Sequence, residues 1–165
     1  MFKKISILVI LVFMSCSFET PTNFTPEALN EKVYSLDESS STFQEILNKH
    51  KGNKILIDFW ASWCRDCIEG LPEVKKLQKE FPKITFLFLS VDTRKNSWKR
   101  GIQRYKITGE HYNLPKGMKD GALVDFIGLG WIPRYMVIDE LGKIALFKAT
   151  DASDDEIIQA LKKAI

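Results

Sequence analysis

Hydrophobic positions change period several times along this chain, and each change marks an element. Ile5 to Met14 is an apolar run broken only by Ser6, set behind the basic pair Lys3 and Lys4. Residues 17–30, SFETPTNFTPEALN, are polar, hold two prolines and show no apolar period, so they read as a tether. Lys32 to Leu36 predicts a short entry strand. Thr42 and Glu45 have capping-box spacing ahead of a helix that begins at Phe43. Lys54 to Trp60, KILIDFW, is a continuous apolar run with Asp58 inside it, the pattern of a strand buried on both faces. Ile68, Leu71, Val74, Leu77 and Phe81 then recur at helical spacing, with Pro72 inside the helix where it should kink it.

Lys83 to Val91, KITFLFLSV, predicts a second buried strand. Asn96 or Ser97 can cap a helix bearing Trp98, Ile102 and Tyr105 on one face, where helical spacing reads as core packing. Residues 107–131 hold five glycines and several aromatics and predict no regular element. Tyr135 to Asp139 and Lys143 to Phe147 read as strands joined by the turn Asp139 to Gly142. Ser153 with Glu156 forms a second capping box, opening a helix with Ile157, Leu161 and Ile165 on one stripe. This order predicts an α/β fold: a parallel strand pair extended by an antiparallel pair in a central mixed sheet, with helices on both faces.

Composition narrows the function. At 165 residues and 45% hydrophobic, the chain can build one core without disulfides. Net charge is +3, and without Lys3 and Lys4 the balance is 22 basic to 21 acidic side chains. No basic stripe suggests a nucleic-acid partner.

The apolar N-terminal run is shorter than the roughly 20 residues of a membrane-spanning helix and fits the core of a secretory signal. It ends at Phe13-Met14-Ser15-Cys16, which resembles the lipobox of bacterial lipoproteins, with Phe13 where that motif usually has Leu. The resemblance implies cleavage after Ser15 and acylation of Cys16. The alternatives are a plain cleaved signal or an uncleaved anchor, which leaves Cys16 a spare thiol. The expected organisation is a signal peptide over 1–15, a lipid-anchored tether over 16–30 and one domain over 31–165. The chain is then exported and faces the periplasm or the cell exterior, where disulfides persist.

Cys64 and Cys67 stand two residues apart between the buried strand and the helix. At a helix start, unpaired N–H groups and the helix dipole favour the thiolate of Cys64, and Cys67 lies one turn later, able to attack a mixed disulfide. A zinc site wants about four ligands. Only His50 and His111 could supplement the pair, and they are far apart in sequence, so no metal site is expected.

The segment ILIDFWASWCRDC, Ile55 to Cys67, resembles the active-site segment of the thioredoxin superfamily, and Gly130-Trp131-Ile132-Pro133 resembles its cis-proline segment. With the lipobox and tether, the chain is similar to the membrane-anchored TlpA/ResA-like group of thiol–disulfide oxidoreductases. The resemblance implies a thioredoxin-like fold, Cys64 as nucleophile, Cys67 as resolving cysteine and Asp58 as the buried acid serving the resolving thiol. Among Ile57, Phe59 and Trp60, that carboxyl should have a raised pKa. It further implies Trp63 beside the disulfide, a cis Pro133, and an Ile132 backbone available to an extended substrate. Arg65-Asp66 replaces the Gly-Pro of thioredoxins, and Gly70 stands where many members of the group carry Glu.

The implied function is reduction of protein disulfides in the cell envelope, with no cofactor, protein dithiols or disulfides as substrates, and a membrane electron donor or acceptor. Two other readings stay open. A peroxiredoxin-type thiol peroxidase shares the fold, but the PxxxTxxC pattern is absent around Cys64. An envelope metal chaperone or binding module would use the same cysteines as ligands.

Overall fold

The run around Asp58 becomes the strand β3 (Ile55–Trp60), all six of whose residues are buried. The computed structural model describes residues 20–163. The signal segment, Cys16 and Ile165 lie outside them. β3 pairs in parallel with β4 (Thr85–Ser90), from Ile55 opposite Thr85 to Trp60 opposite Ser90. Along its other edge it pairs antiparallel with β6 (Arg134–Ile138), with Asp58 opposite Tyr135. β6 continues into β7 (Ile144–Ala149) through the hairpin. In that turn, Leu141 and Lys143 donate backbone N–H bonds to Asp139 Oδ1 at 2.9 and 2.8 Å.

β1 (Lys32–Ser35), β2 (Ser40–Thr42) and β5 (Glu110–Asn113) complete a seven-stranded mixed sheet of order β2-β1-β5-β4-β3-β6-β7. The expected parallel and antiparallel pairs are both present. β2 and β5 are the additions, β5 being a third parallel strand from the segment read as irregular. Its sequence, Glu-His-Tyr-Asn, has no apolar period. His111, Tyr112 and Asn113 are nevertheless buried, and each makes at least one polar contact, although His111 Nδ1 and Asn113 Oδ1 have none. His111 Nε2 meets Ile107 O at 3.1 Å, Tyr112 donates to Glu110, and Asn113 donates to the carbonyls of Ser90 and Asp92.

Side chains alternate across a strand, so Arg134 and Tyr135 mark the two faces of the sheet. On Tyr135's face lies α3 (Arg65–Glu80), where a Cβ added at Gly70 would sit 3.3 Å from the Tyr135 hydroxyl. α4 (Lys95–Tyr105) joins it there, packing Gly101 against Trp60. α6 (Asp155–Lys162) is tied to α3 through a Lys162–Glu80 ion pair. On Arg134's face, the guanidinium donates to Ile127 O at 2.9 Å at the end of α5 (Ala122–Phe126). α2 (Phe43–Lys49) joins α5 through Phe24, which meets Phe43 edge to face and Phe126 at a tilt. Lys54, at the mouth of β3, is buried because its ammonium caps the last turn of α6, bonding the carbonyls of Leu161 at 2.9 Å and Lys163.

Three local readings change. The stretch taken as a tether enters the core: Phe24 and Ala28 are buried, Pro26–Leu29 forms α1, and Ile144 donates to Thr22 O at 2.9 Å. Two apolar residues spaced by four are too few to show a period, yet they suffice to cover the α2–α5 face. α4 starts earlier than Asn96 or Ser97, with Arg94 at its N-cap and no side-chain cap bond. α6 is capped by Asp154, which accepts from Glu156, while the Ser153 hydroxyl donates to Asp151. The Thr42–Glu45 capping box forms as read.

The tether and core readings of Phe24 separate cleanly. Phe24→Ala should destabilise the domain by about 3 kcal/mol in urea titration, whereas replacement in a free tether leaves the midpoint unchanged.

Candidate active site

β3 delivers the chain from the sheet centre to Ala61-Ser62-Trp63, and α3 begins at once, with Cys64 as its N-cap residue. The Cys67 N–H donates to Cys64 Sγ at 3.1 Å, so the helix's first free donor points at the sulfur. The dipole of a sixteen-residue helix then favours negative charge there. Cys64 and Cys67 form a disulfide, with Sγ atoms 2.06 Å apart. Both are buried, but unequally placed: Cys64 borders two surface clefts, whereas Cys67 lies beneath the first turn of α3. A partner sulfur has access through Cys64.

Asp58 is 4% exposed and its Oδ1 has no hydrogen-bond partner. Burial alone pushes its pKa up to about 8. It lies in the middle of a doubly paired strand rather than at a solvated strand end. A carboxyl that is protonated or readily reprotonated near neutral pH suits transfer of a thiol's proton.

The Ile132–Pro133 peptide bond is cis. The Ile132 carbonyl oxygen lies 3.7 Å from Cys64 Sγ, placing this segment against the accessible sulfur. Between them opens a cleft of about 450 Å³ lined by Trp63, Cys64, Met118, Trp131 and Ile132, among others. Trp63 and Trp131 are each 63% exposed, so two large aromatic faces stand in water beside the disulfide. Trp63 is thus an exposed wall of the cleft, and Trp131 is its counterpart. Arg65 is exposed and engaged with Glu69 at 2.8 Å.

Sequence reasoning did not single out Met118 or the Trp131 side chain as site residues, because both belong to the segment without a period. It also missed what holds the loop. Asp92, at the end of β4, accepts from the Ser62 N–H at 2.8 Å, the Ser62 hydroxyl at 2.7 Å and the Ser90 hydroxyl at 2.9 Å. α4 closes over the same loop at Gly101, where an added Cβ would lie 2.7 Å from Ser62 Cβ. The available signal was a charged residue directly after a buried apolar run. Arg134 is likewise neither a substrate contact nor a solvated charge, since it is buried and spent on the carbonyls of Ile127 and Gly128. His50 bonds Glu110 at 3.0 Å and His111 a backbone carbonyl, both away from the cysteines. Among the described residues no group of three or more His, Cys, Asp or Glu side chains could hold a metal ion.

Comparison with known proteins follows the same outline. A family model described as thioredoxin-like matches residues 52–144. The thioredoxin-like protein YneN of Bacillus subtilis is 29% identical over 59% of this chain and 57% of its own length. A chloroplastic thioredoxin-like protein of Arabidopsis thaliana is 26% identical over 68% of this chain and 41% of its own. The thiol–disulfide oxidoreductase ResA of Bacillus thuringiensis is 22% identical over 71% and 66%. The chain therefore spans less than two thirds of the length of these relatives. Among solved structures, the thioredoxin domain of a Bacteroides vulgatus thiol–disulfide oxidoreductase superposes with a TM-score of 0.64. It is 25% identical over 79% of this chain and 89% of that one.

The buried acid has a thermodynamic signature. Its folded pKa lies above the ordinary value of 3.8, so the folded state holds the proton more tightly, and stability falls as pH rises from about 4 through about 8. Asp58→Asn should match wild type near pH 4 and exceed it by several kcal/mol at pH 8, measured by urea unfolding of the oxidised protein.

Proposed function

The chain belongs to the thioredoxin-like family, and on that premise we propose that it is a thiol–disulfide oxidoreductase reducing protein disulfides through Cys64 and Cys67. The observation that carries this reading is a cysteine pair at disulfide distance on a helix N-terminus, with only Cys64 bordering surface clefts and a buried acid on the preceding strand. In the reduced protein the Cys64 thiolate attacks one sulfur of a substrate disulfide. A mixed disulfide forms and the other substrate sulfur leaves as thiolate. Asp58 takes the Cys67 proton, and the Cys67 thiolate attacks Cys64 Sγ. That closes the Cys64–Cys67 disulfide and expels the second substrate sulfur. Two electrons pass to the substrate, and a membrane donor returns them.

The substrate is an extended segment around a cysteine, lying between Trp63 and Trp131 with its backbone along Ile132 and Pro133. Apolar side chains flanking that cysteine match the exposed aromatic walls. Residues 1–15 act as an export signal, and Cys16 carries the lipid that holds the domain to the cell envelope, facing the periplasm or exterior. The similarity to the lipobox supports this part of the reading.

Turnover tests the proposal directly. Cys64→Ser should abolish reduction of a model protein disulfide, and Cys67→Ser should accumulate mixed disulfides visible on non-reducing gels. Unchanged turnover in Cys64→Ser rejects the mechanism. The pair's reduction potential should lie nearer the about −270 mV of thioredoxin than the about −120 mV of a strong oxidant. Cys16→Ser should move the protein from the membrane fraction to the soluble fraction of cells.

A further inference from the structure

Adjoining the substrate cleft, with which it shares Asp66 and Trp131, lies a second cleft of about 610 Å³, bordered also by Gly70, Pro133, Tyr135, Thr150 and Asp151. Its charged rim is acidic. Asp66, Glu69 and Glu73 come from α3 and Asp151 from the β7–α6 loop. Two of these are already paired outward, Glu69 with Arg65 at 2.8 Å and Glu73 with Lys76 at 2.6 Å. Such a rim repels an anionic ligand and admits water and cations.

The floor of this cleft holds an unusual pair. Asp58 and Tyr135 sit directly opposite on β3 and β6, so their Cβ atoms are about 5 Å apart and their side chains share a face. Asp58 Oδ1 and the Tyr135 hydroxyl are both buried without a hydrogen-bond partner. A buried hydroxyl or carboxyl left without a partner is costly, and two facing each other ask for a reason. Tyr135 borders the cleft and Asp58 does not. Gly70 keeps the helix clear of the hydroxyl, since a Cβ there would press on it at 3.3 Å.

We propose that Tyr135 is the positioning residue through which Asp58 exchanges its proton with water in the acidic cleft. This rests on the thiol–disulfide reading above. Once Asp58 has taken the Cys67 proton, it returns it to Cys67 on re-reduction or exchanges it with solvent, and exchange needs a path because Asp58 is buried on a strand paired along both edges. The Tyr135 hydroxyl has no partner and so does not bond the carboxyl directly; a water between them passes the Asp58 proton to the Tyr135 oxygen as the tyrosine's own hydrogen passes to a cleft water. The hydroxyl ends neutral, and no electrons move. Burial and the nearby Asp58 push the Tyr135 pKa up, so the hydroxyl relays without ionising. Donating through that water, it also favours the charged form that accepts the thiol proton.

The experiment is a pH series of protein-disulfide reduction by the full chain as wild type, Asp58→Asn, Tyr135→Phe and the double variant. Wild type should show a titrating limb that Asp58→Asn removes. Tyr135→Phe should move that limb up by about one pH unit and slow turnover at pH 7 about tenfold. In the Asp58→Asn background, Tyr135→Phe should shift nothing further. A purely structural tyrosine would lower the melting temperature and leave the limb in place, which overturns the relay. Should Tyr135→Phe not fold, Gly70→Ala displaces the same hydroxyl and must move the limb in the same direction; an unmoved limb again overturns it. Identical profiles for wild type and Asp58→Asn would reject the role of Asp58 itself, a failure distinct from that of the relay alone.

Discussion

Strand β3 is hydrogen-bonded along both edges, and this double pairing decides where every part of the site lies. The parallel partner β4 ends level with Trp60, which brings Asp92 beside the loop that follows. The antiparallel partner β6 starts at the same end of β3, which brings the cis Ile132–Pro133 segment against Cys64. Three segments distant in sequence therefore meet at one end of the sheet, and α3 grows out of that meeting point. Ligand sites in open α/β sheets commonly sit at the carboxyl ends of parallel strands for this geometric reason.

Buried polar groups differ in whether they find partners. Several are well used. Lys54 caps a helix, Asp92 binds the loop through both oxygens, and Asn113 bridges two carbonyls. Some keep unpaired atoms, His111, Asn113, Arg134 and Glu140 among them, as well as Asp58 and Tyr135. What sets Asp58 and Tyr135 apart is that they share one face of the sheet beneath the helix that carries the cysteines.

What was legible in the sequence was local. The β3 and β4 runs, the helical spacing after Cys67, the Asp139–Gly142 turn and the Thr42–Glu45 box each depend on residues within a few positions of one another. β5 was illegible because its burial depends on carbonyls of Ile107, Ser90 and Asp92 that no local pattern reveals. The α6 cap was misplaced by one residue because Ser153 and Asp154 both suit a cap, and Asp151 engages the Ser153 hydroxyl first. Within the site, the cysteines, Asp58 and the cis-proline segment stood out through a compact motif. Asp92, Met118 and Trp131 take part through the sheet's topology and carried no such mark.

With the lipid on Cys16 as proposed, the early entry of the chain into the core would shorten the leash on which the domain hangs. Phe24 is already packed against Phe43 and Phe126. Cys16, the proposed point of lipid attachment, lies six residues before Thr22, whose carbonyl already accepts from Ile144, rather than fourteen before a domain starting after Asn30. The greatest reach of six residues is about 21 Å, against about 50 Å for fourteen. The redox face would then patrol only a thin layer above the bilayer. Its partners would have to be membrane proteins, or chains emerging beside them, rather than molecules diffusing through the full depth of the compartment.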